Sequence, residues 1–217
     1  MNASAPQRLL IIDDHPLFRK GVLQLIKPAT EFNVIGEASD GREGCRLAKE
    51  LRPDLILLDL NMKDMNGIEV LKAIKATDSE ARVVMLTVSD EATDLIAALR
   101  AGADGYLLKE MEPEELVAKL KDAAAGRLPL TERLTSLLAH AMRESSRPKD
   151  LDESGLTDQE RRILDLIAEG KSNKLIAREL DIAEGTVKVH VKHLLKKLNL
   201  RSRVEAAVWA IERKRGR

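Results

Sequence analysis

The chain is 217 residues long, with 44% hydrophobic residues, a single cysteine, and 36 Lys and Arg against 36 Asp and Glu. That is enough for two modest domains with a core each. Cys45 alone excludes an internal disulfide framework and fits a reducing compartment, and the apolar run Leu9 to Ile12, closed by two aspartates, is too short for a signal sequence or membrane span, so a cytoplasmic protein is expected. The zero net charge hides a division: residues 156–217 carry 15 basic and 9 acidic side chains, net +6, leaving 21 and 27, net −6, for residues 1–155. An acidic module is followed by a basic one that can attract a polyanion.

From residue 9 to 125, short β-type runs alternate with helical patterns of ten or so residues, the signature of a parallel sheet covered on both faces. Strands are expected at Leu9 to Ile12, Val34 to Ala38, Leu55 to Leu58, Val83 to Leu86 and Gly105 to Leu108. Helices are expected at Pro16 to Ile26, Gly41 to Leu51, Gly67 to Lys75, Glu91 to Ala101 and Pro113 to Ala125, with Pro16 and Pro113 where a first helical turn tolerates proline. In this pattern Cys45 is a small core residue rather than a reactive thiol.

Ligands of such sheets bind outside the carboxyl ends of the strands. Four of the five strands end there in polar residues: Asp13 and Asp14, Asp59, Thr87, and Lys109. Each alone reads as a turn residue or surface charge, but packing gives no reason for all four. Three carboxylates in one crevice repel one another and raise at least one pKa unless a divalent cation neutralises them. Mg²⁺ suits such a site, taking oxygen ligands from one or two carboxylates and filling the rest with water, carbonyl and phosphate oxygens. With the metal and the Lys109 ammonium drawing charge from a phosphoryl group, Asp59 can attack phosphorus and form an aspartyl phosphate, and Thr87 can hydrogen-bond a phosphoryl oxygen.

Asp13-Asp14, Asp59 within Leu57-Leu-Asp-Leu-Asn61, Thr87, Tyr106 and Lys109 resemble the receiver domain of two-component response regulators, over about residues 7–125. The resemblance implies a five-stranded parallel α/β sheet of flavodoxin-like order 2-1-3-4-5, with Asp59 as phosphoacceptor. It implies Asp14, Asp59 and the Asn61 carbonyl as Mg²⁺ ligands, with Asp13 orienting metal-bound water. It also implies a switch pair, Thr87 moving toward the phosphoryl group and Tyr106, otherwise a half-buried strand aromatic, turning inward behind it. Two positions depart from the many receivers that carry proline there. Lys63 adds a cation at the site mouth, and Glu110 disfavours a cis peptide after Lys109, since a non-proline cis bond costs about 3 kcal/mol.

Residues 129–152 read as a linker between a receiver domain (1–128) and a C-terminal domain (153–217). Thr131 to Ser145 has the pattern of one amphipathic helix, carrying a surface His140, and the hinge is expected near Ser145 to Gly155. Beyond it, Thr157-Asp-Gln-Glu160 and Ser202-Arg-Val-Glu205 fit capping boxes. A helix continues through Ile163, Leu164 and Ile167 and stops at Gly170; a short helix, Ser172 to Leu180, a tight turn at Asp181-Ile182 and a longer helix, Gly185 to Leu198, follow in helix-turn-helix order.

Val187, Val191, Leu194, Leu195 and Leu198 mark the buried stripe of that longer helix, leaving Lys188, Val189, Lys192 and Lys196 outside. A charge run is usually a solvated face, but six cations without an acid between Thr186 and Arg203 favour phosphate and base contact. His190 and His193 lack the carboxylate or cysteine that would complete a metal site.

Leu156-Thr-Asp-Gln-Glu-Arg, Ser172-Asn-Lys-Leu-Ile-Ala-Arg-Glu-Leu180 and Gly185-Thr-Val-Lys-Val-His-Val-Lys-His193 look like the LuxR-type helix-turn-helix, an all-α domain of four helices. A receiver joined to it is the NarL/FixJ subfamily, and Asp104 to Lys109, Thr186 to His193 and Ser202 to Trp209 look like its nitrate- and nitrite-responsive members. The resemblance implies base readout by Lys188, Val189 and Lys192, phosphate contact from Asn173, Lys174 and Thr186, and dimer pairing through the last helix around Val204 and Val208. Trp209 by itself reads as core.

A phosphorylation-controlled transcription factor is expected, not an enzyme, with a sensor histidine kinase as phosphodonor, Mg²⁺ as cofactor, double-stranded promoter DNA as target, a homodimer when phosphorylated and no membrane partner. The opposite domain charges suggest that the unphosphorylated receiver covers the recognition helix. The rivals are an adaptor whose basic helix meets an acidic protein, and an aspartyl-phosphate phosphohydrolase; Asp59-Leu-Asn61 lacks the second acid such hydrolases use to protonate a leaving group.

Overall fold

A computed structural model describes residues 5–77, 81–89, 91–125, 127, 155–200 and 202–215. The N-terminal part alternates β1 (Gln7–Ile12), α1 (Pro16–Ile26), β2 (Phe32–Ala38), α2 (Gly41–Leu51), β3 (Leu55–Asp59), α3 (Gly67–Lys75), β4 (Arg82–Thr87), α4 (Ala92–Arg100), β5 (Gly105–Leu108) and α5 (Pro113–Ala124). The strands pair in parallel in the order β2-β1-β3-β4-β5. The ranges match the sequence expectation to within one or two residues, because strands covered on both faces are apolar without a break and the helix starts are marked. Pro16 and Pro113 open α1 and α5, Asp40 accepts from the Glu43 N–H ahead of α2, and Asn66 accepts from the Ile68 N–H ahead of α3.

Strand alternation builds two cores. Leu10, Ile12, Ile56, Leu58, Val83 and Met85 face one way and pack with Val70, Leu71 and Ile74 of α3 and Leu95, Ala98 and Leu99 of α4. Leu9, Ile11, Leu55, Leu57, Val84 and Leu86 face the other way, with Val22 and Ile26 of α1 and Leu116 and Leu120 of α5. Cys45 packs half-buried against the first core, and burial, then Asp64, pushes its thiol up, as befits a structural residue.

The C-terminal part has four helices, α6 (Asp158–Ala168), α7 (Asn173–Leu180), α8 (Glu184–Lys197) and α9 (Arg203–Arg215). Ile163, Ile167, Ile176, Val187, Leu194 and Ala206 form its own core, with Trp209 half-buried against it under the Arg213 guanidinium. Asp181, at φ 52° in the left-handed region, ends α7 and makes the tight turn into α8. The expected linker helix at 131–145, its His140 and most of the expected hinge lie outside the described residues. Among the described residues no helix is long and apolar enough to cross a membrane.

The capping box at Thr157 is present in full: Thr157 Oγ1 accepts from the Glu160 N–H at 3.2 Å, and the Glu160 carboxylate accepts from the Thr157 N–H at 2.8 Å. Glu160 is buried and also meets Lys197 Nζ at 2.7 Å, so α8 is tied to the start of α6. Burial pushes its carboxyl up, but Lys197 and Thr157 outweigh this and hold it below the usual carboxylate range. A carboxylate with a depressed folded-state pKa contributes stability above its unfolded value and loses it as pH falls through the folded one. Glu160→Gln is therefore expected to lower the melting temperature near pH 7, with the gap to wild type closing at acid pH. Circular dichroism melts across pH check this.

Candidate functional site: a carboxylate pocket and a basic helix

β1, β3, β4 and β5 lie side by side, so residues as remote in sequence as Asp13 and Lys109 meet at their carboxyl ends. Asp13 and Asp59 are each 2% exposed and Thr87 is fully buried. Lys109 Nζ reaches Asp59 Oδ2 at 2.6 Å and Asp13 Oδ2 at 2.9 Å, and lies 4.8 Å from the centre of the Phe18 ring. Burial pushes the Asp59 carboxyl up, against the Lys109 bond that draws it down and with Asp13 adding to the rise. Asp14 stands at the rim, its Oδ2 accepting from the Lys63 N–H at 3.3 Å. The other Asp59 oxygen accepts from the Asn61 N–H at 3.2 Å. No peptide among the described residues is cis, so the bond from Lys109 to Glu110 is trans.

Asp13, Asp14, His15 and Asp59 each place a ligand atom within 4.8 Å of the others. Asp13 Oδ2 and Asp14 Oδ1 are cut off from solvent without a hydrogen bond. Hard oxygen donors with unspent lone pairs fit a divalent cation such as Mg²⁺.

Behind the carboxylates runs a chain of polar contacts. Thr87 Oγ1 accepts from Asn61 Nδ2 at 3.4 Å and from the Ser89 N–H at 3.0 Å; the Ser89 hydroxyl donates to Asp94 Oδ2 at 2.6 Å. Tyr106 is fully buried, and its hydroxyl donates to the Ser89 carbonyl at 3.1 Å. The sequence led one to expect this ring half-buried, turning in only with the phosphoryl group, but it already lies inward here. Sequence reasoning missed Ser89, Asp94, Phe18 and His15. Only His15, a ligand type directly after the aspartate pair, carried a signal.

On α8, Thr186 and Lys192 are exposed, Val189 is 52% exposed and Lys188 is half-buried. Val187 and Leu194 are buried, with Val191 and Leu195 half-buried behind them, as the stripe predicted. Lys174 at the start of α7 is exposed, whereas the Asn173 side-chain oxygen accepts from Arg203 at 2.7 Å. Arg203 also donates to the Lys171 carbonyl. Burial pushes the Arg203 guanidinium down to about 10, with Asp104 of the receiver pulling it up and Arg82 pressing it down.

The N-terminal domain packs against α9. Val204 and Val208, expected to pair in a dimer, are 0% and 2% exposed and belong to the same apolar cluster as Leu95, Ala98, Leu99 and Ala103. Arg100 Nε at the end of α4 faces Glu205 Oε1 at 3.6 Å beside them. Glu205, read from sequence as a capping partner, does offer its N–H to Ser202 Oγ at 3.1 Å, but its carboxylate is turned to the other domain. The expectation was that the N-terminal domain covers the DNA-reading helix; here Thr186, Val189 and Lys192 on α8 are exposed, and the apolar contact between the domains is made by α9.

These two domains define a class. Residues 9–121 match the response regulator receiver domain, and residues 154–210 match the luxR family of bacterial regulatory proteins. The chain belongs to the two-component response regulators that carry a LuxR-type DNA-binding domain, a family of transcription regulators. It is 54% identical to the nitrate/nitrite response regulator protein NarL of Escherichia coli strain K12, over 96% of this chain and 97% of that protein. It is 42% identical to the nitrate/nitrite response regulator protein NarP of the same strain, over 99% of both. A solved structure of two RcsB dimers bound to two parallel DNAs is 25% identical, covers 93% of this chain and 96% of that one, and gives a TM-score of 0.57.

Gly67 sets the floor of the pocket. Its N–H donates to the Leu60 carbonyl at 2.9 Å, and a Cβ built on it would lie 2.1 Å from the Asp59 backbone oxygen. Gly67→Ala is expected to cost about 1–3 kcal/mol by forcing β3 and α3 apart, a loss that urea unfolding measures.

Proposed function

We propose that Asp59 accepts a phosphoryl group from the phosphohistidine of a sensor kinase, and that the phosphorylated chain binds promoter DNA as a homodimer. The observation that carries the reading is the buried Asp59 carboxylate, held by Lys109 Nζ at 2.6 Å beside two further acids. An Asp59 oxygen forms the bond to phosphorus while the bond from phosphorus to the donor imidazole nitrogen breaks, its electron pair returning to that nitrogen. Lys109 holds the nucleophile in place and offers its ammonium to the charge on the phosphoryl oxygens. Mg²⁺, held by Asp14, Asp59 and the Asn61 carbonyl with Asp13 orienting its water, supplies neutralising charge when bound.

Thr87, Tyr106 and the chain through Ser89 then form the switch. Thr87 Oγ1 drawn to the phosphoryl group gives up the Ser89 N–H, and Ser89 is tied through Asp94 to α4, the helix that carries Arg100. α4 also belongs to the apolar cluster that holds Val204 and Val208. Loosening that contact frees the apolar stripe of α9, which becomes the dimer face. Phosphorylation thus releases the dimer face, in place of uncovering the recognition helix.

At DNA, Lys188, Val189 and Lys192 read bases, and Asn173, Lys174 and Thr186 meet phosphates. The 54% identity to a nitrate/nitrite response regulator supports nitrate- and nitrite-responsive promoters as targets.

Binding of the full-length chain to promoter duplexes, followed by fluorescence anisotropy with Mg²⁺ and a small acyl-phosphate donor, tests this reading. Wild type is expected to tighten on phosphorylation and Asp59→Asn to stay at the weak level. Equal response of both proteins would remove Asp59 from the mechanism, and no response in wild type would remove the switch.

A further inference from the structure

His15 stands between β1 and α1 with its ring 60% exposed and its Nδ1 turned into the pocket. Nδ1 lies 2.8 Å from Asp14 Oδ1, 3.4 Å from Asp13 Oδ1 and 3.5 Å from Asp59 Oδ2. None of the three contacts is aligned as a hydrogen bond. Asp14 Oδ1, the nearest, has no hydrogen-bond partner although it is cut off from solvent. The same is true of Asp13 Oδ2, on a side chain 98% buried, whose neighbour is the Lys109 ammonium at 2.9 Å. An imidazole nitrogen that faces the Asp14 and Asp59 oxygens and is aligned with neither has the geometry of a ligand sharing a central point with them.

The distances agree with that. Around an octahedral ion with bonds of about 2.1 Å, adjacent donor atoms stand about 3 Å apart. The separations from Nδ1 to the Asp14 and Asp59 oxygens, 2.8 and 3.5 Å, bracket this value. The backbone holds the residue there: the His15 N–H donates to Asp13 Oδ1 at 2.7 Å, and Pro16 fixes the chain as it enters α1.

The geometry points to His15 Nδ1 as a nitrogen ligand of the divalent-cation site, which makes that site favour a first-row transition ion such as Mn²⁺ over Mg²⁺. This rests on the carboxylate pocket being the cation site proposed above. The chemistry follows from ligand type. Carboxylate and carbonyl oxygens suit Mg²⁺ and Mn²⁺ alike, whereas imidazole is a poor partner for Mg²⁺ and a common one for transition ions. A receiver with this nitrogen at the rim would be loaded by whichever of the two ions is available, weighted toward the transition ion.

The test is Mn²⁺ binding to the full-length protein, followed by electron paramagnetic resonance, with electron spin-echo modulation to detect coupling to ¹⁴N. Wild type is expected to bind Mn²⁺ and to show modulation from a directly coordinated imidazole. His15→Gln and His15→Ala are expected to bind Mn²⁺ without that modulation, and with the preference for Mn²⁺ over Mg²⁺ reduced by about tenfold or more in competition. Mn²⁺ bound to wild type without ¹⁴N coupling, or with a preference unchanged in both variants, overturns the role of His15 and leaves the carboxylate site standing. Asp14→Asn separates the two: if wild type binds no Mn²⁺, or binds it as well as Asp14→Asn does, the cation site itself is overturned and the ligand falls with it.

Discussion

Everything in this chain depends on how one ammonium is shared among buried carboxylates. Asp13 and Asp59 are both 2% exposed and the Lys109 side chain 8%, within 2.9 Å of each. Charges taken out of water must be paired, and removing one partner of such a group costs about 3–5 kcal/mol. Lys109 neutralises only one of the three acids gathered here, so the pocket keeps an appetite for positive charge. In the proposed mechanism the imbalance that suits a divalent cation would also let Asp59 receive a phosphoryl group, with Lys109 facing its oxygens.

The pocket is also built to report what happens in it. Thr87 is fully buried at the end of the strand between Asp59 and Tyr106, and its hydroxyl is committed to Asn61 and Ser89. Ser89 in turn takes the Tyr106 hydroxyl on its carbonyl and gives its own to Asp94 on α4. A small displacement of Thr87 therefore has to be accommodated along packed, hydrogen-bonded groups up to the helix that holds α9. Because Val204 and Val208 are the residues held, the proposed dimer through α9 would need the surface that the closed arrangement buries.

The fold was legible because its physics is local. Buried strands such as Leu55 to Leu58 are apolar without interruption, and Pro16, Asp40, Asn66 and Thr157 announce the helices that follow them. The pocket was legible too, since four strand ends broke the apolar pattern together. What stayed hidden depends on partners remote in sequence. An apolar stripe on α9 says that Val204 and Val208 will be buried, and nothing in it says against what. Arg100 and Glu205 are ordinary helix charges until the fold brings them to 3.6 Å. Ser89 and Asp94 read as a turn and a helix start, and their connection to Thr87 exists only once β4 and α4 are in place. Tyr106 was misplaced for the same reason, its hydroxyl finding the Ser89 carbonyl across the sheet end.

The central claim is that phosphorylation of Asp59 frees α9 from the receiver. The direct measurement is the distance between spin labels at Lys72 on α3 and Lys214 on α9, taken by double electron–electron resonance in a Cys45→Ser background with and without phosphodonor. The account predicts a single short distance that lengthens and broadens on phosphorylation of the labelled wild-type chain and does not move in Asp59→Asn. A distance unchanged while the phosphorylated protein binds DNA more tightly would contradict it, because the signal would then reach DNA with α9 still held.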